Sequence, residues 1–285
     1  MTLRIVQISD SHLGASRPNY LANWRVCRDE IRRLAPDLVI NTGDVSLDGA
    51  DSDDDLALAR QLHDELGCPY RVIPGNHDIG DDPASAAAGA PGQVIDDERR
   101  ARFRAVFGDD FWRQRIGDWD LIGLNAQLIG SDLAGEAEQW DFLLQALADA
   151  DGPIALFVHK PLFAHDPSRD GEVYRYLAPA ARDRLFGLMA DRRVKLVGTG
   201  HVHQWLRTRH LGAEFVWAPS TAFIIGDAAQ PVIGEKLVGL ILYELDGDGV
   251  RVDLCRPAGM QPHDIVELIR KGGADLPAAY RSDLL

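Results

Sequence analysis

The chain has 285 residues and a mass of 31.4 kDa, with 46% hydrophobic and 26% charged side chains, enough apolar content for a large core in a single α/β domain. With 44 acidic against 30 basic side chains the net charge is −14, a field that repels a nucleic-acid backbone and argues against a polymer of that kind as partner. No run approaches the ~18 apolar residues of a membrane span. Cys27, Cys68 and Cys255 form no CxxC pair, and a strand beginning at Leu3 leaves no room for a signal peptide, so the expected setting is the reducing cytoplasm.

Short apolar runs rich in β-formers predict strands over 3–8, 38–41, 70–73, 121–124, 154–158 and 194–197. Helical spacing lies between them: Leu58, Leu62 and Leu66 recur at i, i+4, i+8, and Trp140, Leu143, Leu144 and Leu147 at i, i+3, i+4, i+7. Continuous apolar strands alternating with helices imply a buried, largely parallel sheet. The segment 81–93, DDPASAAAGAPGQ, has no apolar periodicity and reads as a mobile loop, either one wall of a substrate cleft or an insertion without function. After His203 the rhythm changes. Runs over 205–208, 214–217, 237–245 and 250–255 read as consecutive strands, with Asp246-Gly247-Asp248-Gly249 as a hairpin turn, and predict a second, mostly antiparallel sheet. From Pro262 onward Ile265, Leu268 and Ile269 share one helical face. Residues 1–261 are therefore read as the domain, and 262–285 as a tail that docks on it or on another subunit of a homo-oligomer.

Five polar motifs each follow an apolar run: Asp10-Ser11-His12, Gly43-Asp44, Gly75-Asn76-His77-Asp78, Val158-His159-Lys160-Pro161 and Gly200-His201-Val202-His203. Asp10 and His12 are two residues apart, so in extended chain they project to the same side. Gly43 lets the backbone turn so that the Asp44 carboxylate reaches inward, and a carboxylate, unlike an imidazole, can bridge two cations. Asn76 offers a neutral carbonyl ligand, and His201-x-His203 is a chelating pair. Read singly, an Asp-x-His is more often a loop cap and a lone His159 more often a hydrogen-bonded core residue. All five in one chain give nitrogen and oxygen donors without thiolate, a set that suits Fe, Mn, Zn or Co.

Taken in this order, the motifs resemble those of the calcineurin-like metallophosphoesterase superfamily over roughly residues 3–225. The stretch Pro219-Ser220-Thr221-Ala222-Phe223 is similar to the Pro-Ser-Thr stretch of bacterial class III cyclic-nucleotide phosphodiesterases, whereas the histidine that related glycerophosphodiesterases carry near Phe223 is missing. The resemblance implies a four-layer αββα sandwich of two mixed β-sheets flanked by helices. It also implies two divalent or transition metal ions, Fe or Mn ahead of Zn or Co: one on Asp10, His12, Asp44 and His203, the other on Asp44, Asn76, His159 and His201, with Asp44 as the bridge. His77 matches the catalytic histidine near the leaving group, and Asp78 stands as its orienting partner. The implied reaction is in-line attack of a metal-bridging hydroxide on a small soluble phosphodiester such as a 3',5'-cyclic nucleotide.

A phosphomonoesterase, protein phosphatase or glycerophosphodiesterase on the same core is the alternative; a non-catalytic scaffold is disfavoured because the ligand set and His77 are complete. No arginine cluster for a terminal dianionic phosphate stands out. Lys160 is left between contacting phosphate oxygens and lying on the surface. His63, His165, His210 and His263 read as surface or hydrogen-bonded residues, with His165 nearest the cleft.

Overall fold

The computed structural model describes residues 2–90, 92–169, 174–190 and 193–271. The first part runs β1 (Leu3–Ile8), α1 (Leu21–Leu34), β2 (Leu38–Asn41), α2 (Asp53–Asp64), β3 (Tyr70–Val72), α3 (Asn76–Ile79), α4 (Pro83–Ala87) and α5 (Asp97–Phe107). Then follow β4 (Trp112–Ile116), β5 (Trp119–Leu124), α6 (Ala134–Asp149), β6 (Ile154–Val158), α7 (Pro179–Met189) and β7 (Val194–Thr199). The last part is β8 (Leu206–His210), β9 (Ala213–Trp217), β10 (Phe223–Ile224), β11 (Leu240–Asp246), β12 (Gly249–Cys255), β13 (His263–Asp264) and α8 (Ile265–Arg270).

Two large mixed sheets result, a five-stranded one in the order β12-β11-β1-β2-β3 and a six-stranded one in the order β4-β5-β6-β7-β9-β8. Strands β1, β2 and β3 are mutually parallel, as are β5, β6, β7 and β9. The continuous apolar strands are buried on both faces. In β1, Leu3 and Ile5 pack toward the second sheet with Leu121, Phe157 and Leu196, while Val6 and Ile8 pack with Trp24 and Ile31 of α1. On the far side of the second sheet, Ile122, Leu156 and Val197 meet Trp140, Leu143 and Leu147 of α6 and Leu185 of α7. That is the expected layering of helices, sheet, sheet, helices.

The late strands do not build a separate antiparallel sheet. They are dealt to the edges of both: β11 pairs antiparallel with β1 and carries β12 through the expected hairpin, whereas β9 lies parallel to β7 and carries β8. In α2 the fully buried face is Leu56, Ala59 and His63; of the predicted stripe, Leu66 just past the helix is buried in the same core and Leu62 packs half-buried against it. A histidine can sit inside because both ring nitrogens find partners there, Ala59 O at 2.7 Å and Asn41 Nδ2 at 2.9 Å. At the other end of the chain, β13 pairs with β10, and Ile265 and Val266 are buried with Tyr20, Leu47 and Phe223. The start of the predicted tail is thus seated on the domain; its remainder, 272–285, lies outside the described residues.

Candidate metal centre

All five motifs sit at the carboxyl ends of parallel strands: Asp10 and His12 after β1, Asp44 after β2, Asn76 and His77 after β3, His159 after β6, and His201 and His203 after β7. This is where an α/β sheet presents function. Reaching inward from these ends strains the backbone. Asp10, His12, Asp44, His201 and His203 all have positive φ, between 44° and 69°, at a cost of about 1–3 kcal/mol each. Such a concentration at one place is the signature of a functional site. Glycine makes the close approach possible: a Cβ on Gly75 would collide with Oδ1 and the backbone nitrogen of Asp44, and one on Gly43, at φ +106°, would lie 2.6 Å from His159 Nδ1.

The side chains converge in two groups that share Asp44. In one, His203 Nε2 is 3.3 Å from Asp10 Oδ1 and 3.2 Å from His12 Nε2. In the other, His159 Nε2 is 3.3 Å from Asn76 Oδ1, 3.2 Å from His201 Nδ1 and 3.4 Å from Asp44 Oδ2. Asp44 Oδ2 also lies 3.9 Å from His12 Nε2, so one carboxylate oxygen stands between the groups. Its other oxygen accepts the His77 backbone N–H at 2.9 Å.

Backbone carbonyls set the tautomers. His159 Nδ1–H donates to Thr42 O at 2.7 Å, His201 Nε2–H to Tyr174 O at 2.7 Å and His203 Nδ1–H to Phe223 O at 3.1 Å. Each ring therefore aims its lone-pair nitrogen at other acceptors, and Asp10 Oδ1 is buried with no hydrogen-bond partner. Acceptors facing acceptors in a dry pocket require a cation among them. A proton can serve in part: burial opposes the charged ring, yet the Asp44 carboxylate outweighs it and raises His159 to about 9. Burial likewise pushes Asp44 upward, but the His159, His77 and His12 imidazoles outweigh it and hold the carboxyl well below its ordinary value. Burial, with repulsion from His77 for His12 and from His159 for His201, keeps those two rings neutral. The ionised Asp44 and the neutral His12 and His201 are in the protonation states that metal ligation needs, and a cation binding at His159 would displace its proton.

Four expectations are corrected. The Asp78 carboxylate does not orient the His77 ring; it accepts the backbone N–H groups of Val45, Ser46 and Gly75 and the Ser46 hydroxyl, bracing the turns that carry Asp44 and Asn76. The His77 ring is held instead by Leu47 O, 2.8 Å from Nδ1. Lys160 neither faces phosphate nor lies on the surface: it is wholly buried between Asp81, Asp82 and Ser85. The described residues of 81–93 accordingly are no loose loop, because Asp82 caps α4 among them and Asp81 N–H is tied to Gln93 O at 2.7 Å. His165 is exposed against Ile233 O rather than in the site.

The stretch Pro219 to Phe223 has a structural task that its sequence did not disclose. Ser220 Oγ donates to Asp10 O at 2.7 Å, and the Phe223 ring packs 4.8 Å from His12 and 4.5 Å from His203. A cavity of about 240 Å³ opens over the histidines, lined also by Tyr174, Arg175, Phe223 and Ile225. Tyr174 and Arg175 were missed because they stand in no motif.

Residues 3–205 match the family described as calcineurin-like phosphoesterase. The chain belongs to that family. A 3',5'-cyclic adenosine monophosphate phosphodiesterase, CpdA, from Pseudomonas aeruginosa is 30% identical over 265 residues, covering 86% of each chain. A probable cyclic nucleotide phosphodiesterase from Synechococcus sp. is 27% identical over 259 residues, covering 87% of this chain and 90% of its own. Among solved structures, purple acid phosphatase from yellow lupin superposes with a TM-score of 0.64 at 15% identity, over 93% of this chain and 53% of that one; that likeness concerns the fold. This phosphoesterase is thus a member of a metal-dependent enzyme family whose candidate ligand cluster is assembled in the described residues.

Proposed function

We propose that the protein is a dinuclear metal-dependent phosphodiesterase acting on small diesters, with 3',5'-cyclic nucleotides the favoured class. The observation that carries the reading is the position of Asp44 Oδ2 between two sets of converging acceptors. Asp10, His12, Asp44 and His203 would hold one ion, and Asp44, Asn76, His159 and His201 the other. Nitrogen and oxygen donors suit Fe, Mn, Zn or Co, and the family resemblance puts Fe or Mn first. Cations held there supply Lewis acidity and neutralise charge on the phosphoryl oxygens.

The chain's own groups supply the rest. His77 lines the cavity, and the Leu47 carbonyl steadies its ring beside His12, 4.4 Å between centroids; it is the group to protonate the departing alkoxide. Phe223 and Ile225 give the cavity an apolar side on which a base or other organic substituent can rest. At about 240 Å³ the cavity is below the ~300–1,000 Å³ of drug-sized ligand sites, which favours a small ester over a polymer. A cytoplasmic setting belongs to the same reading, supported by three free cysteines.

The test is a parallel assay of chelated and Mn-reloaded protein on bis-p-nitrophenyl phosphate, p-nitrophenyl phosphate, cyclic AMP and glycerophosphocholine. Activity should vanish on chelation, return with metal and be higher on each diester than on the monoester. A clear monoester preference moves the protein to the phosphatase reading, and full turnover without metal ends the dinuclear one.

A further inference from the structure

Lys160 directly follows His159, yet its ammonium points away from any anion-binding role. It is fully buried, and its Nζ donates to Asp81 Oδ1 at 2.5 Å, Asp82 Oδ2 at 2.6 Å and Ser85 Oγ at 2.7 Å. An ammonium has three protons, and all three are used. The partners are themselves knitted together: Asp81 Oδ1 accepts Asp82 N–H, and Asp82 accepts both the N–H and the hydroxyl of Ser85. The backbone of Asp81 also closes the base of its segment, accepting Ile95 N–H at 2.8 Å while donating to Gln93 O. Asp81, Gly89 and Ala90 from this segment line the cavity over the metal centre. Small side chains give the segment almost no apolar grip of its own, so one buried charge cluster fastens the cavity wall to the end of β6.

We infer that Lys160 is a positioning residue for substrate selection: through Asp81, Asp82 and Ser85 it locks the 81–90 wall in place and so sets how bulky a second ester group the cavity favours. The inference rests on the phosphodiesterase reading for its substrate arm and on the fold alone for its other arm. Removing one partner of a buried ion cluster leaves uncompensated charge, whereas replacing the whole cluster by neutral groups is tolerated far better. With the lock gone the wall samples open states, and a substrate that needs the wall binds in proportion to the fraction of time it is in place.

The test compares the wild-type chain with Lys160→Met and with the charge-free triple variant Lys160→Met/Asp81→Asn/Asp82→Asn, which keeps the question open should the single variant not fold. Hydrogen exchange of the amides in 82–90 is measured on metal-free protein. Bis-p-nitrophenyl phosphate and methyl p-nitrophenyl phosphate are then compared on Mn-loaded protein. The expected result is faster exchange in the segment, metal content unchanged, and KM for the bis-aryl diester raised about tenfold with kcat and the methyl ester within about twofold of wild type. Unaltered exchange in the segment overturns the inference, as does an equal change on both esters. If the wild-type chain hydrolyses neither diester, the phosphodiesterase reading fails while the exchange measurement still decides whether Lys160 holds the wall.

Discussion

His63 offers a pH-dependent test of how the centre is supported from behind. The ring is fully buried, its Nδ1–H donates to Ala59 O at 2.7 Å, and Nε2 stands 2.9 Å from Asn41 Nδ2, which must donate to it. Asn41 in turn accepts Gly43 N–H on Oδ1 at 3.1 Å, one residue before Asp44. Only a neutral ring fits, and burial lowers His63 from 6.5 to about 4 despite the opposing bond to Ala59. Because the folded value is depressed, the unfolded chain binds the proton first. Stability from this group is complete above about pH 6.5 and is lost as pH falls toward 4. At ~1.4 kcal/mol per unit, that window is worth about 3 kcal/mol.

Urea melts of chelated wild-type protein and of His63→Gln, at about pH 7.5 and 4.5, isolate this share, because the other titrating groups are common to both. Wild type should lose about 2–3 kcal/mol more than the variant over that interval. Parallel losses would refute a buried neutral His63 and its role in holding Asn41.

His77→Ala should retain both metals and lower turnover by about 10²-fold or more on an alkyl diester, with a much smaller loss on a p-nitrophenyl ester whose leaving group needs little protonation. Metal content falling with activity would make His77 a ligand, an arrangement its proximity to His12 and Asp44 permits. Gly75→Ala drives a methyl group into Asp44 and should cost about 1–3 kcal/mol in a denaturant melt while weakening metal retention. Wild-type metal content and stability in that variant would show that the turn has room to move.

The site was legible in the sequence because its side chains follow apolar strands at fixed short spacings, and each short motif keeps its geometry whatever the loops do. What could not be read depends on distant partners. The role of Asp78 is set by amides of Val45 and Ser46 on another turn. Asp81, Asp82 and Ser85 bond to Lys160, some 75–79 positions away in sequence. β4 escaped because Trp-Arg-Gln-Arg-Ile has no apolar run; as an edge strand it keeps its arginines paired with Asp120 and Asp151. Local order also cannot tell which sheet edge a late strand will join, and β8, β9, β11 and β12 went to two different ones. The Leu58-Leu62-Leu66 stripe told part of the story: Leu66 is buried and Leu62 packs against the core, but hydrogen bonding lets His63 join Leu56 and Ala59 on the fully buried face.

The measurement that bears most directly on the central claim is the metal stoichiometry of wild-type protein and of Asp44→Asn, purified identically and reloaded with Mn. The shared carboxylate predicts two ions per wild-type chain and loss of tight binding at both positions, or at least one, in the variant. One ion per wild-type chain, or two retained tightly without the Asp44 carboxylate, would contradict it.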